Sequence, residues 1–291
     1  MNGFYLSALQ LALCLTPMAL GIFISMKVFR IPDITTDGSY TLGASVGAIL
    51  LTAGYPLVWV VLAGVFSGVL AGMTTGWVHT KFRIEPLLSG ILVMTALYSI
   101  NLMIMGRSNL PLIGKDGLFT IWNEQWGEET GGWITSIGLV GLCCLGLWYL
   151  LKTDFGIAMR ASGNNPAMSE ANGMNNDLVK IIGLGMANGL TALSGVMVSQ
   201  YEGFADINMG IGIVITGLGA VLISDTIRRW LRLSKIGIQI LLVLLGTIIF
   251  QSVLAITLSI GVDPNSLKLV TALFVLLIVG LPRFISKKRN D

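Results

Sequence analysis

The most constraining feature of the sequence is a run from Gly38 to Val78 that contains no Asp, Glu, Lys or Arg. Because the core of a bilayer takes about 20 apolar residues of helix, this run holds two membrane spans, joined by a turn near Gly54-Tyr55-Pro56. Across the whole chain, 54% of the residues are hydrophobic and only 11% are charged, whereas a soluble domain carries about 25% charged residues. These features predict an all-α integral membrane protein and exclude a soluble enzyme.

Hydropathy predicts about nine membrane spans within a single transmembrane domain that covers residues 1–291. The second and seventh spans are rich in Gly and Thr, and we expect them to be broken or partly re-entrant. The predicted ranges are 4–26, 35–53, 56–78, 86–106, 132–151, 180–200, 208–227, 236–259 and 267–284.

The basic residues of the connecting loops predict the orientation, because Lys and Arg accumulate on the cytoplasmic side of membrane proteins. If the C-terminus is cytoplasmic, only Arg107, Lys115 and Lys268 of the 18 Lys and Arg residues fall outside. The sequence therefore predicts a multi-pass membrane protein with its N-terminus outside, an external loop at 107–131 and a cytoplasmic loop at 152–179. This asymmetry also explains the net charge of +3 without a nucleic-acid partner.

Glycines recur every four residues on the third span, at Gly64, Gly68, Gly72 and Gly76. On a helix they form one smooth stripe, against which another helix backbone packs closely. The alternative is a surface along which helices slide during gating.

Uncharged polar residues lie deep within the predicted spans, whereas no chain of Asp, Glu and His suggests a proton relay. Each polar side chain has a simple role available, a hydrogen bond to a neighbouring helix. As a group they would line a polar path for a solute, and the candidates for that path are Asn101, Asn188 and Gln200.

A short sequence pattern occurs twice in the chain. Pro32-Asp33-Ile34 precedes Leu42-Gly43-Ala44, and Ala205-Asp206-Ile207 precedes Leu218-Gly219-Ala220. In the predicted topology the two copies begin on opposite sides of the membrane, which suggests that spans 1–4 and 6–9 form an inverted repeat, as in many transporters.

The sequence contains no recognisable motif for binding a metal ion or a nucleotide. Cys14, Cys143 and Cys144 lie within predicted spans, and His79 is the only histidine, so we expect no metal site. Gly114-Lys115 is followed by Asp116, which does not fit a phosphate-binding loop. The chain is expected to bind no cofactor itself.

The loop at 152–179 carries strong local signals for a short helix. Asn165 suits an N-cap, and Pro166 suits the first helical position, where its missing N–H costs nothing. Gly173 suits the C-terminal cap. These residues predict a two-turn helix from Pro166 to Asn172, preceded by another short helix that carries Arg160. The helix is either a docking element for another protein or an ordinary connector.

This loop resembles the coupling loop of a known family. The run from Thr153 to Pro166 reads T-x-F-G-x-x-x-R-A-x-G-x-N-P and is followed by Gly173, which is similar to permeases of ABC importers that serve branched-chain amino acids, ribose and related solutes. The similarity extends over about residues 30–285, through Ile31–Ala44 and Gly203–Gly212. One departure is the Met168-Ser169-Glu170 run after Asn-Pro, where the family often has small residues.

The resemblance implies a type II ABC importer-like permease fold, a location in the bacterial inner membrane and a set of roles. A helix from Pro166 to Gly173 would dock in a cleft of a separate cytoplasmic ABC ATPase, which binds ATP-Mg. The residues implied in this coupling are Arg160, Gly163, Asn165, Pro166, Glu170 and Gly173. A second permease copy or a sister permease would share the solute path, and an external solute-binding protein would deliver the solute.

The resemblance also favours an amino acid as the solute, with an aromatic amino-acid subgroup as the nearest match, while a sugar or nucleoside stays open. Two other classes of function compete with an ABC permease. The first is a secondary transporter driven by an ion gradient, which proton-coupled uptake without an ATPase would reveal. The second is an intramembrane enzyme, which hydrolysis of a lipid or peptide by the chain alone would reveal.

Overall fold

The structure is a computed structural model that describes residues 2–121, 126–263 and 266–287. Trp122 to Gln125, Pro264, Asn265 and the terminal basic residues Lys288 and Arg289 lie outside the described residues. The helices are α1 (Asn2–Phe23, continued by a π-helical turn over Ile24–Val28), α2 (Thr35–Thr52), α3 (Leu57–Phe82), α4 (Pro86–Met105), α5 (Glu128–Lys152), α6 (Asp154–Asn164), α7 (Pro166–Ala171), α8 (Asn176–Glu202), α9 (Ile213–Trp230), α10 (Ile236–Ser259) and α11 (Leu267–Lys287). Two short strands, β1 (Asn109–Pro111) and β2 (Phe204–Asp206), pair antiparallel.

Eight helices, α1–α5 and α8–α10, run alternately between two ends of the bundle. At the strand end, β1 after α4 pairs with β2 after α8, and the Tyr201 hydroxyl donates to the Ser7 carbonyl at the start of α1. At the loop end, α6 and α7 meet the end of α1, where Arg30 donates to Asn164. The predicted external and cytoplasmic loops therefore lie at opposite ends of the bundle.

Six helices are long and apolar enough to cross a membrane: Gly3–Val28, Leu57–Phe82, Pro86–Met105, Thr130–Lys152, Asn176–Glu202 and Ile236–Ser259. The helices α2 and α9 have 18 residues each and do not belong to this set. The sequence placed the seventh span at 208–227, but α9 begins only at Ile213, because turns at Gly210 and Gly212 occupy the preceding positions. Within the described residues, the structure thus supports six spans of the predicted nine by length and composition.

The core forms around α8, which packs against α1, α2 and α3. The glycine stripe of α3 faces α8 directly: a Cβ at Gly68 would overlap the Ala192 side chain, and one at Gly72 would overlap the Leu184 carbonyl. On α2, a Cβ at Gly43 would likewise overlap the Ala192 carbonyl. The prediction that the stripe serves close helix packing is confirmed.

The packing partners of α1–α4 recur among α8–α11. The helix α2 packs on α3 and α4, and α9 packs on α10 and α11. The helix α3 packs on α8, and α10 packs on α1. Since α1 runs toward the loop end and α8 runs away from it, the two sets have opposite directions.

Three helices end at the loop end in the same unusual way. Arg30, Arg83 and Arg232 have φ values of 59°, 53° and 51°, a left-handed conformation that usually belongs to glycine. Each follows the end of a helix that runs from the strand end to the loop end, and each lies between two apolar residues, as in Phe82-Arg83-Ile84. An exposed arginine here terminates the helix and also places a positive charge beside its C-terminal carbonyls.

Candidate functional site

Most of the predicted site residues lie in or near two structural features. One is the α6–α7 connector at the loop end, and the other is a polar junction inside the bundle. Both local helices of the connector form as predicted. The Thr153 hydroxyl accepts from Gly156 N at 3.4 Å and caps α6, and the Asn165 side chain accepts from Met168 N at 3.1 Å and caps α7. Gly173, at φ 81°, ends the turn after α7. The predicted helix from Pro166 to Asn172 is therefore confirmed to within one residue.

Arg160 and Gly163 fasten α6 to its neighbours. The Arg160 guanidinium donates to the Leu151 carbonyl at 3.1 Å and to the Gly156 carbonyl at 3.2 Å, so it bridges the C-terminus of α5 and the start of α6. A Cβ at Gly163 would overlap the Val28 carbonyl, and only glycine permits α6 to lie this close to the end of α1. Both residues therefore fix the direction in which the connector projects.

The base of α7 is tied to α8 through Asn176. Its amide nitrogen donates to the Pro166 carbonyl at 2.8 Å and to Glu170 Oε1 at 3.2 Å. The opposite side of α7 is open: the side chain of Met168 is 64% exposed, although it is apolar. A rigid short helix with an exposed apolar side chain has the features of a docking element.

A basic cavity of about 590 Å³ lies beside this connector. Lys27, Arg30 and Arg228 line it together with Asp225, which is only 5% exposed. The Asp225 carboxylate accepts from Lys27 Nζ at 2.7 Å, from Arg228 Nη2 at 2.8 Å, and from Arg229. This cluster links the π-helical turn after α1 to the end of α9.

The polar junction begins at Asp33, which precedes α2 and is 4% exposed. Its Oδ1 accepts from the backbone N of Thr35, the first residue of α2, at 2.9 Å, and its Oδ2 accepts from Asn188 Nδ2 at 2.7 Å. Ser39 donates to Asn188 Oδ1 at 2.7 Å. Asn188 therefore satisfies both ends of its amide group within the protein and connects α8 to the beginning of α2.

Asp37 extends the junction to α9. Its Oδ2 accepts from Gly212 N at 2.8 Å and its Oδ1 from Val214 N at 2.9 Å. A carboxylate is well suited to this position, because the first N–H groups of a helix lack partners and carry partial positive charge. The N-terminal turns of α2 and α9 therefore meet inside the bundle and share one carboxylate.

The three predicted path residues occupy separate environments. Asn101 donates to the Gly38 carbonyl at 3.3 Å and lines a cavity of about 30 Å³ between α2, α4 and the loop before α9. Gln200 accepts from Leu118 N at 2.8 Å near the strand end. In the described part of the chain, Asn101 Oδ1 and Gln200 Nε2 are buried without a hydrogen-bond partner. The structure does not bring these residues and Asn188 together, and their role in transport stays a prediction.

Sequence reasoning missed the buried carboxylates Asp33, Asp37 and Asp225. It considered Asp33 only as part of the repeated pattern and did not single out Asp37 or Asp225. A usable signal was present: Asp33 and Asp37 flank the start of a helix at Thr35-Thr36, where acidic side chains are favoured by the helix dipole. For Asp225 the sequence shows Arg228 and Arg229 at helical spacing, although Lys27 is distant in sequence.

Comparison with known proteins identifies the family. Residues 4–280 match the family described as the permease component of the branched-chain amino acid transport system. The chain belongs to this permease family. It is 38% identical over 271 residues to a tyrosine transport system permease protein of Clostridioides difficile, an alignment that covers 93% of this chain and 88% of that protein.

More distant relatives include one that is named for a sugar. The permease is 33% identical over 294 residues to an uncharacterized protein of Rickettsia prowazekii, with 98% of each chain covered. It is 25% identical over 262 residues to a galactofuranose transporter permease of Escherichia coli, with 87% of this chain and 73% of that protein covered. No solved structure matches the chain. The expected family is confirmed, and the chain is a multi-pass membrane permease of an ABC-type transport system.

Proposed function

We propose that this permease is the transmembrane subunit of an ABC importer, and that it couples a solute path to a separate cytoplasmic ATPase through α6 and α7. The observation that carries the proposal is the α6–α7 connector. It projects from the loop end as a capped, rigid unit, held by Arg160, Gly163 and Asn176. A coupling element has to transmit force, and a connector anchored on α1, α5 and α8 moves only together with these helices.

The proposed orientation places the loop end in the cytoplasm of a bacterium and the N-terminus outside. Its support is that Lys27, Arg83 and Arg228 all lie at the loop end, with further basic residues around them, in agreement with the positive-inside rule. In this orientation the strand end faces an external solute-binding protein, and α6–α7 face the ATPase.

We also propose that α1–α4 and α8–α11 form an inverted repeat and that the chain spans the membrane nine times. The recurring helix packing supports it, as does a matched local geometry: Asp33 Oδ1 accepts from Thr35 N, and Asp206 Oδ1 accepts from Asn208 N. Transporters with inverted repeats often place the ends of interrupted helices near the midplane, and the starts of α2 and α9, which meet at Asp37 inside the bundle, are the proposed counterparts. Asn101, Asn188 and Gln200 are the path residues proposed for such a core.

The proposed solute is an amino acid, with an aromatic one favoured by the tyrosine permease relative. A second permease, either an identical copy or a sister subunit, completes the path in this proposal, and ATP-Mg binds only to the partner ATPase.

Co-purification of the ABC ATPase encoded beside the gene tests the coupling. Met168→Glu changes only an exposed side chain of α7, so we expect the variant to insert normally. We expect it to lose the ATPase, because the apolar contact that Met168 would make with the ATPase is replaced by a charge that docking would bury. Ile113→Glu is the matched control, since Ile113 is 88% exposed at the strand end and should retain the ATPase. Full retention by the α7 variant would refute docking at α7, and loss of the ATPase from the wild type would refute the importer assignment.

A further inference from the structure

A second cavity, of about 380 Å³, lies at the strand end between α1, α2, α8, α9 and α10. We call it the strand-end cavity. Its volume falls within the range of small-molecule sites, roughly 300–1,000 Å³. It is lined by Leu11, Leu15, Tyr40, Val198, Glu202, Phe204, Asp206, Asn208, Met209, Ile213, Thr216, Gln251 and Leu254.

Two deeply buried polar side chains of this cavity have no partner. Tyr40 is 2% exposed and Gln251 is 8% exposed. Within the described residues, neither the Tyr40 hydroxyl nor the Gln251 amide makes a hydrogen bond. Neither polar group is sealed off from the cavity, so each can pair with whatever occupies that space, and buried polar groups are nearly always paired in this way. These two groups come from different helices, α2 and α10, and both line the same space.

The charge of the cavity has one sign. Among the residues that the structure describes, Glu202 and Asp206 are the charged ones that line it, with no Lys, Arg or His beside them. The Asp206 carboxylate already accepts from Asn109 Nδ2 at 3.2 Å and from Asn208 N at 2.8 Å. The Glu202 carboxylate has no ion pair or hydrogen bond in the described part of the chain. Glu202 is exposed at the mouth of the cavity, and a carboxylate without a counterion at the rim of a largely apolar cavity favours a cationic ligand.

Apart from Asn208 and Thr216, the remaining wall is apolar. Leu11 and Leu15 of α1, Val198 of α8 and Leu254 of α10 contribute aliphatic surface. Because of this wall, the cavity suits an organic molecule better than a bare metal ion, which prefers oxygen ligands on all sides.

We propose that the strand-end cavity binds the solute itself, a small zwitterion with an ammonium group and a compact apolar side chain, which is the chemistry of an apolar or aromatic amino acid. Glu202 receives the ammonium group, the Tyr40 hydroxyl and the Gln251 amide donate to the carboxylate, and the aliphatic wall holds the side chain. This inference rests on the proposed importer function and assigns to it a solute site outside the three path amides.

The test is equilibrium binding of the twenty common amino acids, each radiolabelled, to the full-length permease in lipid nanodiscs, together with any ABC ATPase that co-purifies with it. We expect at least one apolar or aromatic amino acid to bind. Glu202→Gln should weaken its binding about tenfold or more, since a charge-assisted contact is lost. Gln251→Leu and Tyr40→Phe should each weaken binding by a smaller factor. The control Glu85→Gln changes an exposed carboxylate at the loop end and should leave binding unchanged.

Analogues of the bound amino acid separate the two ends of the ligand. The corresponding amine, which lacks the carboxylate, should still compete in the wild type, whereas the desamino acid should not. Equal competition by the desamino acid, unchanged binding by Glu202→Gln, or no binding of any amino acid would each overturn the site. If Glu202→Gln fails to assemble with the ATPase, Gln251→Leu decides the same question from another helix.

The two proposals fail separately in this experiment. If the ATPase is retained but Glu202→Gln and Gln251→Leu bind like the wild type, the site is wrong and the importer assignment stands. If an amino acid binds in a Glu202-dependent way but no ATPase co-purifies, the site stands and the importer assignment is wrong.

Discussion

At the scale of single residues, the most consequential group is the Asp37 carboxylate, which joins the starts of two helices. It accepts from Gly212 N and Val214 N of α9 while it belongs to the first turn of α2. Asp37→Asn keeps the shape but turns an NH₂ donor toward one of these N–H groups. We expect the free energy of unfolding to fall by about 1–3 kcal/mol, measured as a lower melting temperature in detergent.

Asp116→Asn provides the control for this change, because Asp116 is exposed in the loop after β1 and its replacement should leave the melting temperature unchanged. Equal melting temperatures for both variants and the wild type would show that the shared carboxylate does not hold α9 in place.

At the scale of elements, the close approach of α3 to α8 depends on glycine at four positions. Gly68→Ala would bring a Cβ against the Ala192 side chain and to 2.6 Å from the Asn188 carbonyl oxygen, and overpacking of this kind costs about 1–3 kcal/mol. In α5, a Cβ at Gly141 meets nothing within 4 Å. Alanine there should stabilise the helix by about 0.5–1 kcal/mol. The two substitutions should therefore shift the melting temperature in opposite directions.

The elements also show what the sequence predicts well. The cap residues Asn165, Pro166 and Gly173 predicted α7 because each acts within its own turn, and the four-residue glycine spacing predicted a packing face. The start of α9 was misplaced by five residues because a tertiary contact determines it: residues 208–212 turn back against Asp37 of α2. No local pattern encodes a partner that is about 175 positions away in the chain.

In the candidate site, too, local features could be predicted from the sequence, whereas contacts between distant residues could not. The two short helices of the α6–α7 connector could be predicted from their own residues. The contacts that hold the connector, such as Val28 against Gly163, come from distant parts of the chain. Polar residues were recognised at depth, but Asn188 has Asp33 as its partner, and the strand-end cavity combines Tyr40 with Gln251 from another helix. Sequence reasoning identified polar residue types and could not pair them.

At the scale of the whole molecule, the two ends of the bundle differ in chemistry. The loop end carries the basic cavity and the left-handed arginines, and the strand end carries the acidic cavity with Glu202 and Asp206. Insertion of the permease according to the positive-inside rule would place the loop end in the cytoplasm. A zwitterion that arrives from outside would then meet the acidic cavity first.

Cysteine labelling tests this orientation in a chain whose Cys14, Cys143 and Cys144 are replaced by alanine. Ile113→Cys at the strand end and Ser234→Cys at the loop end are both exposed. A membrane-impermeant maleimide should label the first variant in intact spheroplasts and the second only after the membrane is permeabilised. Labelling of the opposite variant in intact spheroplasts would invert the orientation. It would also separate the α6–α7 connector from any cytoplasmic ATPase, so the coupling proposal depends on the outcome.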